Sequence, residues 1–147
     1  MHRWDFALIL SSPLKRAVET CRLAGYGDGA QLRPDLMEWD YGSYDGKTSK
    51  EIVAGRPDWS LWRDGGPDGE TANDVGKRTD RVIAEVRRTD GDVLIFAHGH
   101  VLRVLTARWL GQPPQEGRHY ALETAALSVL SYEHVDPVIR RWNRPVP

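Results

Sequence analysis

The chain has 147 residues, 40% hydrophobic and 28% charged, which suits one globular domain (1–147) large enough to bury a core. Its formal net charge is -1 and its arginines and lysines are scattered, so nothing draws it to nucleic acid or an anionic membrane, and neither is expected as a partner. No apolar run reaches the length of a bilayer span or a signal-peptide core, which makes the cytoplasm the expected address, and the single cysteine, Cys21, excludes an intrachain disulfide.

Phe6, Ala7, Leu8, Ile9 and Leu10 form a continuous apolar run, the pattern of a strand buried on both faces. Ser11-Ser12-Pro13 ends it. Ser12 suits a helix cap, and Pro13 suits the first helical position, whose N–H has no intrahelical partner. Leu14, Ala17, Val18 and Cys21 recur at helical spacing up to Gly25, with Cys21 as a small apolar filler on the buried side. A second helix is predicted from Thr48, with Glu51 at capping-box spacing, running toward Arg56-Pro57, Trp59 and Trp62. The glycine-rich stretch 64–69 is a loop by composition. A longer helix then starts near Thr71 and carries Val75, Thr79, Val82, Ile83 and Val86 on one face until Asp90-Gly91.

Val93–Phe96 is a second buried strand, followed by Ala97-His98-Gly99-His100 and a helix with Val101, Leu102, Leu105, Trp109 and Leu110 that stops at Gly111. Residues 127–132 and 138–142 read as closing strands, paired as a hairpin or lying apart in the sheet, with Val135-Asp136-Pro137 between them. Strands alternating with helices predict an α/β fold, a three-layer α/β/α sandwich.

In open α/β sheets ligands bind beyond the carboxyl ends of strands, beside helix N-termini. Two places fit: Arg16, in the opening turn of a helix after a strand, and His98-Gly99, between a strand and a helix. Exposed N–H groups favour an anion at both, and an arginine fork matches phosphate oxygens. Taken alone, Arg16 reads as a solvated helix residue and His98 as a core histidine bonded to a carbonyl. Their matching positions favour a shared site. His98 and His100 form an H-x-H pair, but no Cys, Asp or Glu nearby completes a ligand set, so no metal is expected. His119 and His134 read as surface loop residues, and His2 as terminal. In the aromatic, glycine-rich stretch 36–46, Glu38 reads either as an exposed loop carboxylate or as a proton donor partly desolvated by its aromatic neighbours.

Together these stretches resemble the histidine phosphatase superfamily, which includes phosphoglycerate mutases and many small phosphatases. Ser11-Ser12-Pro13-Leu14-Lys15-Arg16-Ala17 with Thr20 is similar to its S-S-P-x-x-R-A-x-x-T element. Glu38, Gly42 and Gly46 match an E-x-x-x-G-x-x-x-G loop, Gly69-Glu70-Thr71 a G-E-S/T turn, and Ala97-His98-Gly99 the second catalytic histidine motif. The resemblance implies a phosphoglycerate mutase-like fold and catalytic roles for Arg16 as phosphoryl clamp, His98 as oxygen ligand and Glu38 as general acid. It also implies that Tyr41, His100 and the Gly99 N–H line the pocket of a small phosphorylated substrate, with no cofactor.

One motif departs from the family. Relatives open with a strand ending in R-H-G, whose histidine accepts the phosphoryl group, and no R-H-G occurs here. Arg118-His119-Tyr120 carries two of the letters in the wrong place, and Met1-His2-Arg3 carries them reversed. The resemblance therefore implies that the first central strand and first helix, roughly thirty or more residues, are missing. The expectation is an N-terminal truncation, or else a chain completed by another polypeptide or a swapped strand. An exposed gap in the sheet would encourage homo-oligomers. The expected function of the parent domain is phosphomonoester hydrolysis through a phosphohistidine. The alternatives are mutase-type phosphoryl transfer and a catalytically silent phospholigand-binding or interaction domain.

Overall fold

A computed structural model describes residues 4–146. Met1, His2 and Arg3, and the expectations attached to them, lie outside the described residues. The strands β1 (Leu8–Ser11), β2 (Ala30–Leu32) and β3 (Val93–Phe96) form one parallel sheet in the order β2-β1-β3. Leu8 lies opposite Val93 and Leu10 opposite Ile95, so these four side chains share a face. That face packs against α4 (Ala72–Arg88) and α5 (Gly99–Trp109) through Val82, Ile83, Leu105 and Trp109. The other face meets α1 (Lys15–Leu23), which buries Ala17 and Cys21. The order helix, sheet, helix is the α/β architecture predicted.

Local chemistry explains most boundaries. Thr48 Oγ1 accepts the Glu51 N–H at the start of α2 (Ser49–Gly55), at the predicted cap. Thr71 and Asp74 form a reciprocal capping box on α4. The helix after β1 starts later than expected: Leu14, extended, is the cap of α1, and Ser12 Oγ accepts the Leu14 N–H at 3.2 Å from outside the helix. Arg16 is still in its first turn. Val18 is partly solvent-exposed rather than core, because the narrow apolar stripe of α1 is Ala17 and Cys21. Burial raises the Cys21 thiol above its ordinary range, consistent with an inert packing role.

The closing strands, β4 (Ala126–Glu133) and β5 (Asp136–Pro145), pair as an antiparallel hairpin separate from the parallel sheet. The turn is His134-Val135, not the predicted 135–137; Pro137 lies inside β5 opposite Tyr132, and His134 takes the left-handed conformation at φ 57°. Neither β2, which is short and largely exposed, nor the one-turn α3 (Leu61–Asp64) carries a pattern that predicts it.

The loop holding Glu38 and Tyr41 is clamped against the loop before α4, backbone to backbone. Gly42, at φ 60°, sits against the carbonyl of Pro67, and Gly66 against the carbonyl of Tyr41, with no room for a Cβ at either. Replacing Gly66 with alanine is expected to cost about 1–3 kcal/mol, the range for forced overpacking, because the clash is with backbone. An unchanged urea midpoint would refute this packing.

Candidate active site

β1 and β3 run parallel, and Ser11 is level with Phe96, so both strands end at one rim. Beyond them stand the first turn of α1, with Arg16, and the start of α5, where His98 is the cap residue. His98 is 7% exposed, and its Nε2 shares a 2.8 Å hydrogen bond with the hydroxyl of fully buried Ser12. Burial lowers the His98 pKa from its ordinary value; the Arg16 guanidinium pushes the same way, the Glu38 carboxylate opposes both, and Arg78 adds a smaller push. The charges of Arg16 and Glu38 thus both act on this ring. Arg16 is itself exposed and pairs with no carboxylate among the described residues.

Glu38 is half-buried between the fully buried Trp39 and the exposed Met37. Its carboxylate meets three backbone N–H groups: Oε1 accepts from Trp39 at 2.8 Å and Val101 at 2.9 Å, and Oε2 from His100 at 3.2 Å. Two of these donors open α5, so Glu38 occupies the end of the helix that His98 caps. Gly99, the first residue of α5, is exposed beside it.

Tyr41 and His100 make the adjoining wall. Tyr41 Oη lies 2.6 Å from His100 Nδ1. Burial raises the Tyr41 phenol far above its ordinary range, with Glu38 adding and Arg16 opposing, so it stays protonated beside the imidazole. Burial also lowers the His100 pKa, against Glu38. Trp39, Tyr41 and Trp62 all present T-shaped contacts to the His100 ring at centroid distances of 5.7–6.3 Å. Trp59 and Trp62 pack on the core cluster around Trp39 and Val104, and Arg103 lies over the Trp62 ring.

Two residues of the site's frame were not picked out in the sequence. Ser12, which suits a helix cap by its place in the sequence, also bonds His98. Arg78 is the second: its position between Val75 and Val82 places it on the buried face of α4. Its guanidinium forks onto Glu70 at 2.8 and 2.9 Å and donates to the carbonyls of Asp35 and Met37, both at 2.7 Å. Glu70 in turn accepts the Asp40 N–H at 2.9 Å. This network fixes the chain on both sides of Glu38.

The family model described as the histidine phosphatase superfamily (branch 1) matches residues 1–145. The chain belongs to that superfamily. It is 36% identical over 132 residues to an acid phosphatase of Mycobacterium tuberculosis, a match covering 88% of this chain and 64% of that protein. It therefore spans somewhat less than two thirds of this curated relative's length. A solved structure of an open reading frame product of the same organism superposes with a TM-score of 0.89 at 34% identity, covering 94% of this chain and 72% of that one. A mycobacterial glucosyl-3-phosphoglycerate phosphatase, solved in complex with inorganic phosphate, gives a TM-score of 0.80 at 26% identity over 94% of this chain and 77% of its own. The phosphoglycerate mutase-like α/β fold implied by the motifs is the fold observed. Among the described residues no helix is long and apolar enough to cross a membrane.

The lowered pKa values of His98 and His100 fix a pH dependence. Both rings stay neutral in the fold at pH values where an unfolded histidine, with its pKa of about 6.5, starts to take up protons. The unfolded chain then binds more protons, so stability falls as pH drops from about 6.5 toward the folded-state values. The ring carbon resonances of both residues are expected to titrate with midpoints below 6.5. Midpoints at or above 6.5 would contradict the buried position of His98.

Proposed function

We propose that this site recognises the phosphoryl group of a small phosphomonoester and that the parent domain hydrolyses it through a phosphohistidine. The observation that carries the reading is Arg16: an exposed guanidinium with no ion pair among the described residues, in the first turn of a helix at the rim where two parallel strands end, whose charge lowers the His98 pKa. Such a cation beside exposed N–H groups is an anion receptor. The phosphate complex of the glucosyl-3-phosphoglycerate phosphatase and the acid phosphatase relative support a phosphate ester as ligand.

In this reading Arg16 holds two phosphoryl oxygens, and His98 with the Gly99 N–H binds the charge that develops on them. The ester P–O bond breaks as a histidine nitrogen takes the phosphorus, and Glu38 gives its proton to the departing oxygen. Water then attacks the phosphorus, losing a proton to Glu38 as the O–P bond forms, and the P–N bond breaks to release phosphate and free histidine. Tyr41 and His100 border the leaving group. The accepting histidine belongs to the R-H-G motif, which this sequence does not contain, so that step falls to a segment bearing it. The short α2–α3 stretch favours hydrolysis over a mutase, which needs longer loops to retain the phosphorylated intermediate.

Incubation with p-nitrophenyl phosphate tests the proposal. The chain as given is expected to be nearly inert, and the same chain joined at its N-terminus to a strand–Arg-His-Gly–helix segment is expected to turn over substrate and trap acid-labile phosphohistidine. Lack of turnover in a folded extended protein would leave only a phospholigand-binding domain.

A further inference from the structure

Ser12 and His98 stand 86 positions apart in the sequence and meet at the rim, with Ser12 Oγ 2.8 Å from His98 Nε2. Which of the two supplies the shared hydrogen follows from what else Ser12 touches. Its own N–H donates to the Phe96 carbonyl at 2.8 Å, which extends the β1–β3 pairing by one residue and fixes its backbone. Pro13 has no N–H, so the next donor along the chain is that of Leu14, and Ser12 Oγ accepts it at 3.2 Å. A hydroxyl has one hydrogen and two lone pairs, and the Leu14 contact occupies one of the pairs. The hydrogen needs an acceptor, because Ser12 is 0% exposed and no water replaces one. Among the described residues Ser12 Oγ bonds no acceptor other than His98 Nε2, and no buried side-chain oxygen or nitrogen there lacks a partner.

We infer that Ser12 is a positioning residue of this site: its O–H donates to His98 Nε2 and fixes the neutral ring as the tautomer protonated on Nδ1. A neutral imidazole carries its hydrogen on either nitrogen, and the bond made by one nitrogen decides the state of the other. The hydroxyl therefore sets what His98 shows a ligand. Nδ1 has no partner among the described residues and is not enclosed, so its N–H is a donor left open at the rim where Arg16 stands. The opposite tautomer would aim Nε2–H at Ser12, leave the enclosed hydroxyl hydrogen without an acceptor and turn a lone pair toward an incoming anion. Ser12 is enclosed by the described residues themselves, so its partners do not depend on any other segment. The benefit to phosphoryl binding rests on the function proposed above. The tautomer does not, since it is read from the hydrogen bonds alone.

The test is a long-range proton–nitrogen spectrum of the isotope-labelled chain, at a pH where every histidine is neutral. His98 is expected to show a protonated Nδ1 and a bare Nε2. Protonation on Nε2, or a mixture of the two forms, would overturn the assignment in the wild-type chain without recourse to a variant. Ser12→Ala is expected to release the ring into a mixture and to weaken binding of inorganic phosphate roughly 2- to 12-fold, the effect of one neutral hydrogen bond. Ser12→Thr, which keeps the hydroxyl, is expected to restore both the tautomer and the affinity. A folded Ser12→Ala chain that keeps the Nδ1–H form, or that changes tautomer with no loss of affinity, would reduce Ser12 to a packing role and overturn the proposal. A wild-type chain with the Nδ1–H form but no affinity for phosphate would support the Ser12 assignment and refute the phosphate reading instead.

Discussion

Replacing Arg78 with leucine is expected to lower stability by about 2–4 kcal/mol and to weaken anion binding at a site Arg78 helps frame. The substitution leaves the Glu70 carboxylate without its bidentate partner and frees the carbonyls of Asp35 and Met37. Breaking a buried pair by removing one side costs about 3–5 kcal/mol. The cost is smaller here because Glu70 is 23% exposed and keeps the Asp40 N–H. Those carbonyls belong to the segment leading into Glu38, so the carboxylate loses its register against α5. Arg78→Lys keeps the charge but not the planar fork, and is expected to recover only part of the loss. Urea midpoints of the three proteins test this; a change under about 0.5 kcal/mol in Arg78→Leu would show that the loop is held by other contacts.

Arg16→Ala should show the opposite pattern. The guanidinium is exposed and forms no ion pair among the described residues, so its loss should alter stability by no more than about 0.5 kcal/mol. A hydrogen bond to a charged group contributes about 1.5–3 kcal/mol, so affinity for inorganic phosphate should fall roughly 10- to 150-fold. Arg16→Lys should fall between, because a point charge replaces a fork. Stability lost without affinity lost would make Arg16 a structural residue.

The contrast between these arginines shows what the sequence discloses. Arg16 was legible because it follows a strand-ending Ser-Ser-Pro, and His98 because a glycine after a buried run marks a strand-to-helix junction. Those signals are local. The environment of Glu38 was not legible, since two of its three donors, His100 and Val101, lie 62 and 63 positions away, whereas its sequence neighbours are aromatic. Ser12 looked like a cap because helix starts are read locally, yet its hydroxyl also holds His98, 86 positions away. Arg78 could have been found, since an arginine within the apolar stripe Val75, Thr79 and Val82 must be paired when buried. Among the fold elements, β1, β3 and the three long helices followed from continuous apolar runs and 3.6-residue periodicity. β2 did not, because Ala30, Gln31 and Leu32 are mostly exposed and carry no such pattern.

A titration of the isotope-labelled chain with inorganic phosphate tests most directly whether Arg16, Glu38 and His98 surround one anion site. The Arg16 Nε–H, the His98 ring and the backbone N–H groups of Gly99 and His100 should shift together and yield a single dissociation constant. Resonances that stay still, or that follow unrelated binding curves, would contradict a common receptor at this rim.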